Sequence, residues 1–333
     1  MAVSKRIFYI DQLRALAIVL VLFAHISTHT CERFADVYIL GSFKWASAAF
    51  FVDVGVIGVP LFLMITGALL LNREYGNLFD FVKHRYLRIL PPFLFWAIIT
   101  FNIFSFWYVW LMMGIYLFLP IINSFIKDYQ MKGVEYFLII WLICILLNTF
   151  GHYPFYKLEL SYFFGYIGYV VLGYYLFKKE FNVSKSKMFW LGFILFLGFT
   201  FINMFYTFEF SKIYDKHVWL TYLTIVPVFQ SIGVFLIFKN LEEYSGSNKV
   251  LNFIKKFKFK NVVENLSFCS YGMYLDHMFI LGYVLGLPIT KQLFSINPLY
   301  WLFTAIILIP FLSWLVVYIL SKIPYVKYIS GAY

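Results

Sequence analysis

Charge is scarce in this chain. Of its 333 residues only 13% are Asp, Glu, Lys or Arg, against about 25% in soluble domains. Cysteine is scarcer: Cys31, Cys144 and Cys269 are the only three. They show no metal-ligand spacing and make no disulfide framework. No small-x-small pattern follows the first apolar run (it continues ISTHTCERF), so that run reads as an uncleaved span rather than a signal peptide. Internal repeats, low-complexity tails and an inverted repeat of the two halves are also lacking. Without that repeat a transporter architecture has less support.

Apolar and aromatic residues fill the chain instead, at 62% and 23%. Runs of about 20 apolar residues mark spanning helices. The expectation is an all-α, polytopic transmembrane bundle of about ten helices, near 7–27, 50–71, 89–105, 107–126, 134–149, 160–177, 188–206, 219–238, 268–287 and 298–320. Residues 1–333 read as one transmembrane domain with no appended soluble domain. The net charge of +11 does not call for nucleic acid. With ten spans most of the 27 Lys and Arg fall in loops on the side of the N-terminus, which puts both termini in the cytoplasm. The Lys-rich loop within 239–267 fits a segment lying on anionic lipid.

The first span, RIFYIDQLRALAIVLVLFAHIS, contains Asp11, Arg14 and His25. Ionisable groups in a span are costly and point to an interior or a water-filled cavity. Arg14 and His25 are eleven residues apart, about three turns and 16 Å of rise, so they share a face. Asp11 lies one turn before Arg14 on that stripe. A lone histidine near a helix end can be merely interfacial, and His29 and His152 fit that description. His25 stands apart because it shares its stripe with an acid and a cation. Imidazole titrates near neutrality and can take a proton from a hydroxyl.

A second cationic cluster, KHRYLRILPPF, places Arg85 and Arg88 on one helix face. Guanidinium forks suit phosphate. The second span carries Gly55, Gly58, Pro60 and Gly67, which allow close approach or a broken helix, with Asp53 at its outer end. Late in the chain, SFCSYGMYLDHMFIL sets Asp276 and His277 in an apolar run. As neighbours on a helix they face different ways. Tyr116, Asn123 and Glu159 are further polar candidates.

Together these stretches resemble the membrane acyltransferase 3 family, integral-membrane O-acyltransferases of surface polysaccharides. Arg14 and His25 match its Arg, ten residues, His motif, and Arg85 and Arg88 its Arg-x-x-Arg element. FWYVWLMMGIYLFLPII, with Tyr116 and Pro120, and the late Ser-x-x-x-Tyr-x-x-His segment also match. Thr66 stands where the family usually has Ser, and Asp276 where an apolar residue is commoner.

The resemblance implies transfer of an acyl group, by default acetyl, from cytoplasmic acyl-CoA (acetyl-CoA) to a sugar or glycan hydroxyl at the outer face. His25 and Asp11 are the expected catalytic residues. Arg14, Arg85 and Arg88 would bind acyl-CoA, and Thr66, Tyr116, Tyr274 and His277 are additional pocket candidates. Acyl-CoA would be a co-substrate rather than a bound cofactor, and no metal is expected. The expected partners are acyl-CoA, the glycan acceptor and the bilayer of a bacterial cell membrane. A transporter or flippase of a lipid-linked sugar is the alternative function, and a scaffold subunit of an export complex a third.

Overall fold

A computed structural model of the chain describes residues 6–37, 40, 42–103, 105–150, 165–214, 221–246 and 259–333. Among them the elements are helices: α1 (Phe8–Val37), α2 (Phe43–Gly55), α3 (Gly58–Leu70), α4 (Leu78–Thr100), α5 (Trp107–Phe150), α6 (Ile167–Lys178), α7 (Lys185–Tyr214), α8 (Ile225–Gly246), α9 (Phe259–Gly286), α10 (Pro288–Ile296) and α11 (Pro298–Lys322). A 3₁₀ turn, Val326–Tyr328, follows. His152, Glu159 and most of the Lys-rich loop lie outside the described residues.

The starts and breaks of these helices follow from local chemistry. Ser42 caps α2 by accepting from the Trp45 amide. Asn77 caps α4 by accepting from Phe79 and Asp80. Each satisfies amides that a first turn leaves without partners. α4 thus begins eleven residues before the apolar run that marks it in the sequence, and its first turns carry the cationic cluster. Gln130 (φ 52, ψ −149) interrupts α5 between the two spans expected there. The single span expected at 50–71 is broken at Val56–Ile57 into α2 and α3.

Among the described residues five helical stretches are long and apolar enough to cross a membrane, or six if the bent α9–α10 pair is one span. The expected count of ten spans is therefore not reached among the described residues. α6 is a 12-residue helix and the apolar part of α8 is short. α4 is long but begins in charged sequence.

α1 is the hub. It packs against α2, α3, α8, α9 and α11. Leu13, Ala17, Ile18 and Leu22 are fully buried on it. Lipid tails are as apolar as these side chains, so close packing carries the association of the helices. Gly67 of α3 shows how close that packing is. A Cβ built there would lie 1.7 Å from the Val170 carbonyl oxygen of α6.

Gly67→Ala should therefore lose several degrees of melting temperature or fail to fold, since over-packing costs about 1–3 kcal/mol or more. Gly198→Ala, where a Cβ meets nothing within 4 Å, should be neutral. Thermal melts of the two purified variants check this.

Candidate functional site

The polar stripe of α1 begins with Asp11, which is buried. Its Oδ1 accepts from Ser267 Oγ of α9 at 2.7 Å, and its Oδ2 accepts from Arg6 Nε at 2.5 Å. Arg14, one turn on, lies 3.7 Å from Oδ1 and donates to Ser267 Oγ at 3.3 Å. Asp11 and Ser267 together fix the Arg14 guanidinium against α9. Asp11 is fourteen residues from His25, about 21 Å along the helix. It is accordingly a positioning residue for Arg14, not a partner of the imidazole.

Arg14 opens onto a cavity of about 210 Å³ that α1, α3, α4, α5 and α9 enclose. Thr66, Arg85, Arg88, Tyr116 and Tyr274 line it as well. Six of the nine residues expected at the site thus share one cavity. Thr66 spends its hydroxyl proton on the Phe62 carbonyl at 2.9 Å and presents the oxygen as an acceptor. Arg85 lies over the Phe81 ring (5.5 Å) and Arg88 over the Tyr333 ring (4.6 Å). Among the described residues neither pairs with a carboxylate. The cavity therefore holds three guanidinium groups against the single carboxylate behind Arg14.

His25 and His277 lie outside that lining. They are reached through Tyr274, which lines the cavity and whose ring centroid is 5.7 Å from that of His277. The two imidazoles meet at 5.0 Å between centroids. His277 Nδ1 sits 2.6 Å from the Tyr274 carbonyl. A carbonyl only accepts, so Nδ1 carries the proton and Nε2 keeps its lone pair. That Nε2 is buried with no partner. Asp276 points elsewhere: it accepts from Ser313 Oγ on α11. The unusual acid beside His277 therefore does not belong to the imidazole pair.

Other expected polar residues have different places. Asn123 accepts from the Asn72 amide (2.6 Å) and donates to the Arg73 carbonyl (2.8 Å). It holds the α3–α4 turn, where Asn72 has a left-handed φ of 58°. His29 lies 3.6 Å from Glu32. Asp53 is not among the residues that line the cavity.

Sequence reasoning overlooked Ser267, Tyr271, Tyr108 and Tyr333, all of which line the cavity. A signal existed for two of them. Ser267, Tyr271 and Tyr274 are spaced four and three apart, a stripe of hydroxyls on one face of α9. Tyr333 had no signal, because nothing local indicates that the last residues turn back and donate to the Arg88 carbonyl.

Residues 7–106, which run from the start of α1 past the end of α4, match the acyltransferase 3 family model, described as an acyltransferase domain. The match covers less than a third of the chain. The matched stretch contains Asp11, Arg14, His25, Thr66, Arg85 and Arg88. No curated protein and no solved structure matches the chain significantly. That match and the apolar helices support a multi-pass membrane acyltransferase.

Removing Asp11 should disturb Arg14 through Ser267. A double-mutant cycle of Asp11→Ala and Ser267→Ala, read by thermal or chemical denaturation, should give a coupling of about 1–2 kcal/mol. Additive effects would mean the two do not act together.

Proposed function

We propose that this protein moves an acyl group, acetyl by default, from cytoplasmic acyl-CoA to a hydroxyl of a sugar or glycan at the outer face of a bacterial cell membrane. One observation carries the reading. A single cavity joins Arg14, Arg85 and Arg88 to Tyr274, and Tyr274 adjoins the His25–His277 pair. The membrane orientation follows from the charge bias, which puts the arginine end in the cytoplasm. In this reading the shorter or more charged helices α4, α6 and α8 also cross, completing a single ten-span domain.

Two guanidinium groups without carboxylate partners suit a polyanion. The phosphates of CoA would lie at Arg85 and Arg88, with the exposed Arg88 at the mouth and the half-buried Arg85 deeper. Arg14, braced by Asp11 and Ser267, would meet the pantetheine arm or the inner phosphate. Tyr116 and Thr66 would offer hydroxyl oxygens to its amides. The 16 Å or so from Arg14 to His25 is of the order of that arm's length, which brings the thioester to the imidazoles.

There His25 takes the proton of the acceptor hydroxyl as its oxygen attacks the thioester carbonyl. The tetrahedral intermediate collapses, the carbon–sulfur bond breaks, and the CoA thiolate leaves with a proton returned from the imidazole. In a covalent variant His25 attacks the carbonyl first and the acyl-imidazole is then taken by the hydroxyl. In the covalent route the Nε2 lone pair of His277 would accept the hydroxyl's proton as the acyl group leaves the imidazole. The acyltransferase domain match favours this reading over a transporter of lipid-linked sugars.

Purified protein in nanodiscs with radiolabelled acetyl-CoA tests the proposal. Wild type should bind donor and release thiol in the presence of acceptor. His25→Ala should bind normally and turn over at least a hundredfold more slowly. Arg85→Ala and Arg88→Ala should each weaken binding tenfold or more, as expected for loss of a charge-assisted contact worth about 1.5–3 kcal/mol. Absence of acyl-CoA binding by wild type would remove the donor and the proposal with it.

A further inference from the structure

Asp53 is 2% exposed near the end of α2, and among the described residues no cation pairs with it. A lone carboxylate inside a membrane bundle has to be compensated. The break after Gly55 explains why it sits there. Where α2 stops, the Asp53 carbonyl accepts from two side chains of other helices: Asn203 Nδ2 of α7 at 3.2 Å and Gln230 Nε2 of α8 at 3.4 Å. Thr207 donates to Asp53 Oδ1 at 2.9 Å, and Gln230 Nε2 also reaches Thr200 Oγ1 at 3.1 Å. Asn203, Thr207 and Gln230 are at most 1% exposed.

Three oxygens in this cluster have no partner: Asp53 Oδ2, Asn203 Oδ1 and Gln230 Oε1. Each amide oxygen belongs to a carboxamide whose nitrogen already touches Asp53. Turning either amide over would set an oxygen against the Asp53 carbonyl oxygen, so their orientation is fixed. The shortage is therefore entirely one of positive partners. A proton on Asp53 could serve one further acceptor and would still leave an amide oxygen orphaned. A cation among them would supply the positive partner that these oxygens lack.

We propose that this cluster is a site for a single monovalent cation of the sodium class. The donors are hard oxygens, one carboxylate, two carboxamides and the neighbouring threonine hydroxyl, as such a cation prefers. Their formal charge is −1, which a monovalent ion neutralises and a divalent ion would overshoot.

The site also backs α1. A Cβ on Gly55 would lie 2.7 Å from the Leu20 carbonyl oxygen and the Ala24 amide nitrogen. The joint that the cation ties to α7 and α8 thus presses on α1 one residue before His25. The ion fixes the backbone that carries the imidazole.

The test needs no acyl transfer, so it stands or falls independently of the proposed function. The melting temperature of purified protein is followed as NaCl replaces choline chloride at constant ionic strength and constant pH. Wild type should show a saturable rise of several degrees, as ligand linkage requires. Asp53→Asn and Gln230→Leu should abolish it, and Thr207→Val should shift its midpoint at least threefold to higher sodium. If Asp53→Asn does not fold, the wild-type titration and the other two variants decide. A wild-type melt that is the same in sodium and choline overturns the proposal, as does a melt that follows pH alone. Retention of the full sodium effect in Asp53→Asn overturns it too.

Discussion

The structure depends on holding guanidinium charge inside a bundle that offers it almost no counter-charge. Arg14, Arg85 and Arg88 face one cavity, and among the described residues the only carboxylate that pairs with any of them, Asp11, is shared with Arg6 and Ser267. Arg88 is exposed at the mouth, but Arg14 and Arg85, half-buried, are costly in a low-dielectric surround unless an anion completes them. Much of the cavity's construction manages that cost. Phe81 and Tyr333 put aromatic faces under Arg85 and Arg88, and Ser267 gives Arg14 an oxygen that a lipid tail would not. The remaining positive charge is what a phosphate-bearing donor would use.

Rigidity comes from a different source. The helices meet through small residues that bring backbones together. Gly67 sets α3 on the backbone of α6, and Gly55 sets the end of α2 on α1. Near the junction of α2 and α3 the Asp53 carbonyl accepts from Asn203 of α7 and Gln230 of α8. These polar groups also concentrate oxygens around Asp53. Donor cavity and oxygen cluster both adjoin α1: Arg14 lines the cavity, and Gly55, two residues after Asp53, packs on Leu20 and Ala24.

The sequence made the stripe of α1 legible because helical geometry is local: eleven residues return to the same face whatever the rest of the chain does. Arg85 and Arg88 were legible for the same reason, and Gly55, Gly58 and Pro60 marked the place where the second span breaks. Ser267 and Tyr333 were not legible as partners of Arg14 and Arg88, since those contacts join positions more than 240 residues apart. The role of Asp11 was half legible. Its place on the stripe was clear, but only the fold shows that Ser267 claims its carboxylate, which separates it from His25. The span count suffered where α6 and α8 are shorter than the apolar runs suggest and where α4 starts early on the Asn77 cap.

The most direct test of the account is a cryo-EM map of the protein with a non-hydrolysable acyl-CoA thioether bound. The account predicts phosphate density beside Arg85 and Arg88, with the pantetheine running past Tyr116 and Tyr274. The acyl carbon should lie within reach of His25 and His277. Density for the analogue anywhere outside that cavity, or in it with the acyl end away from the imidazoles, would contradict the account.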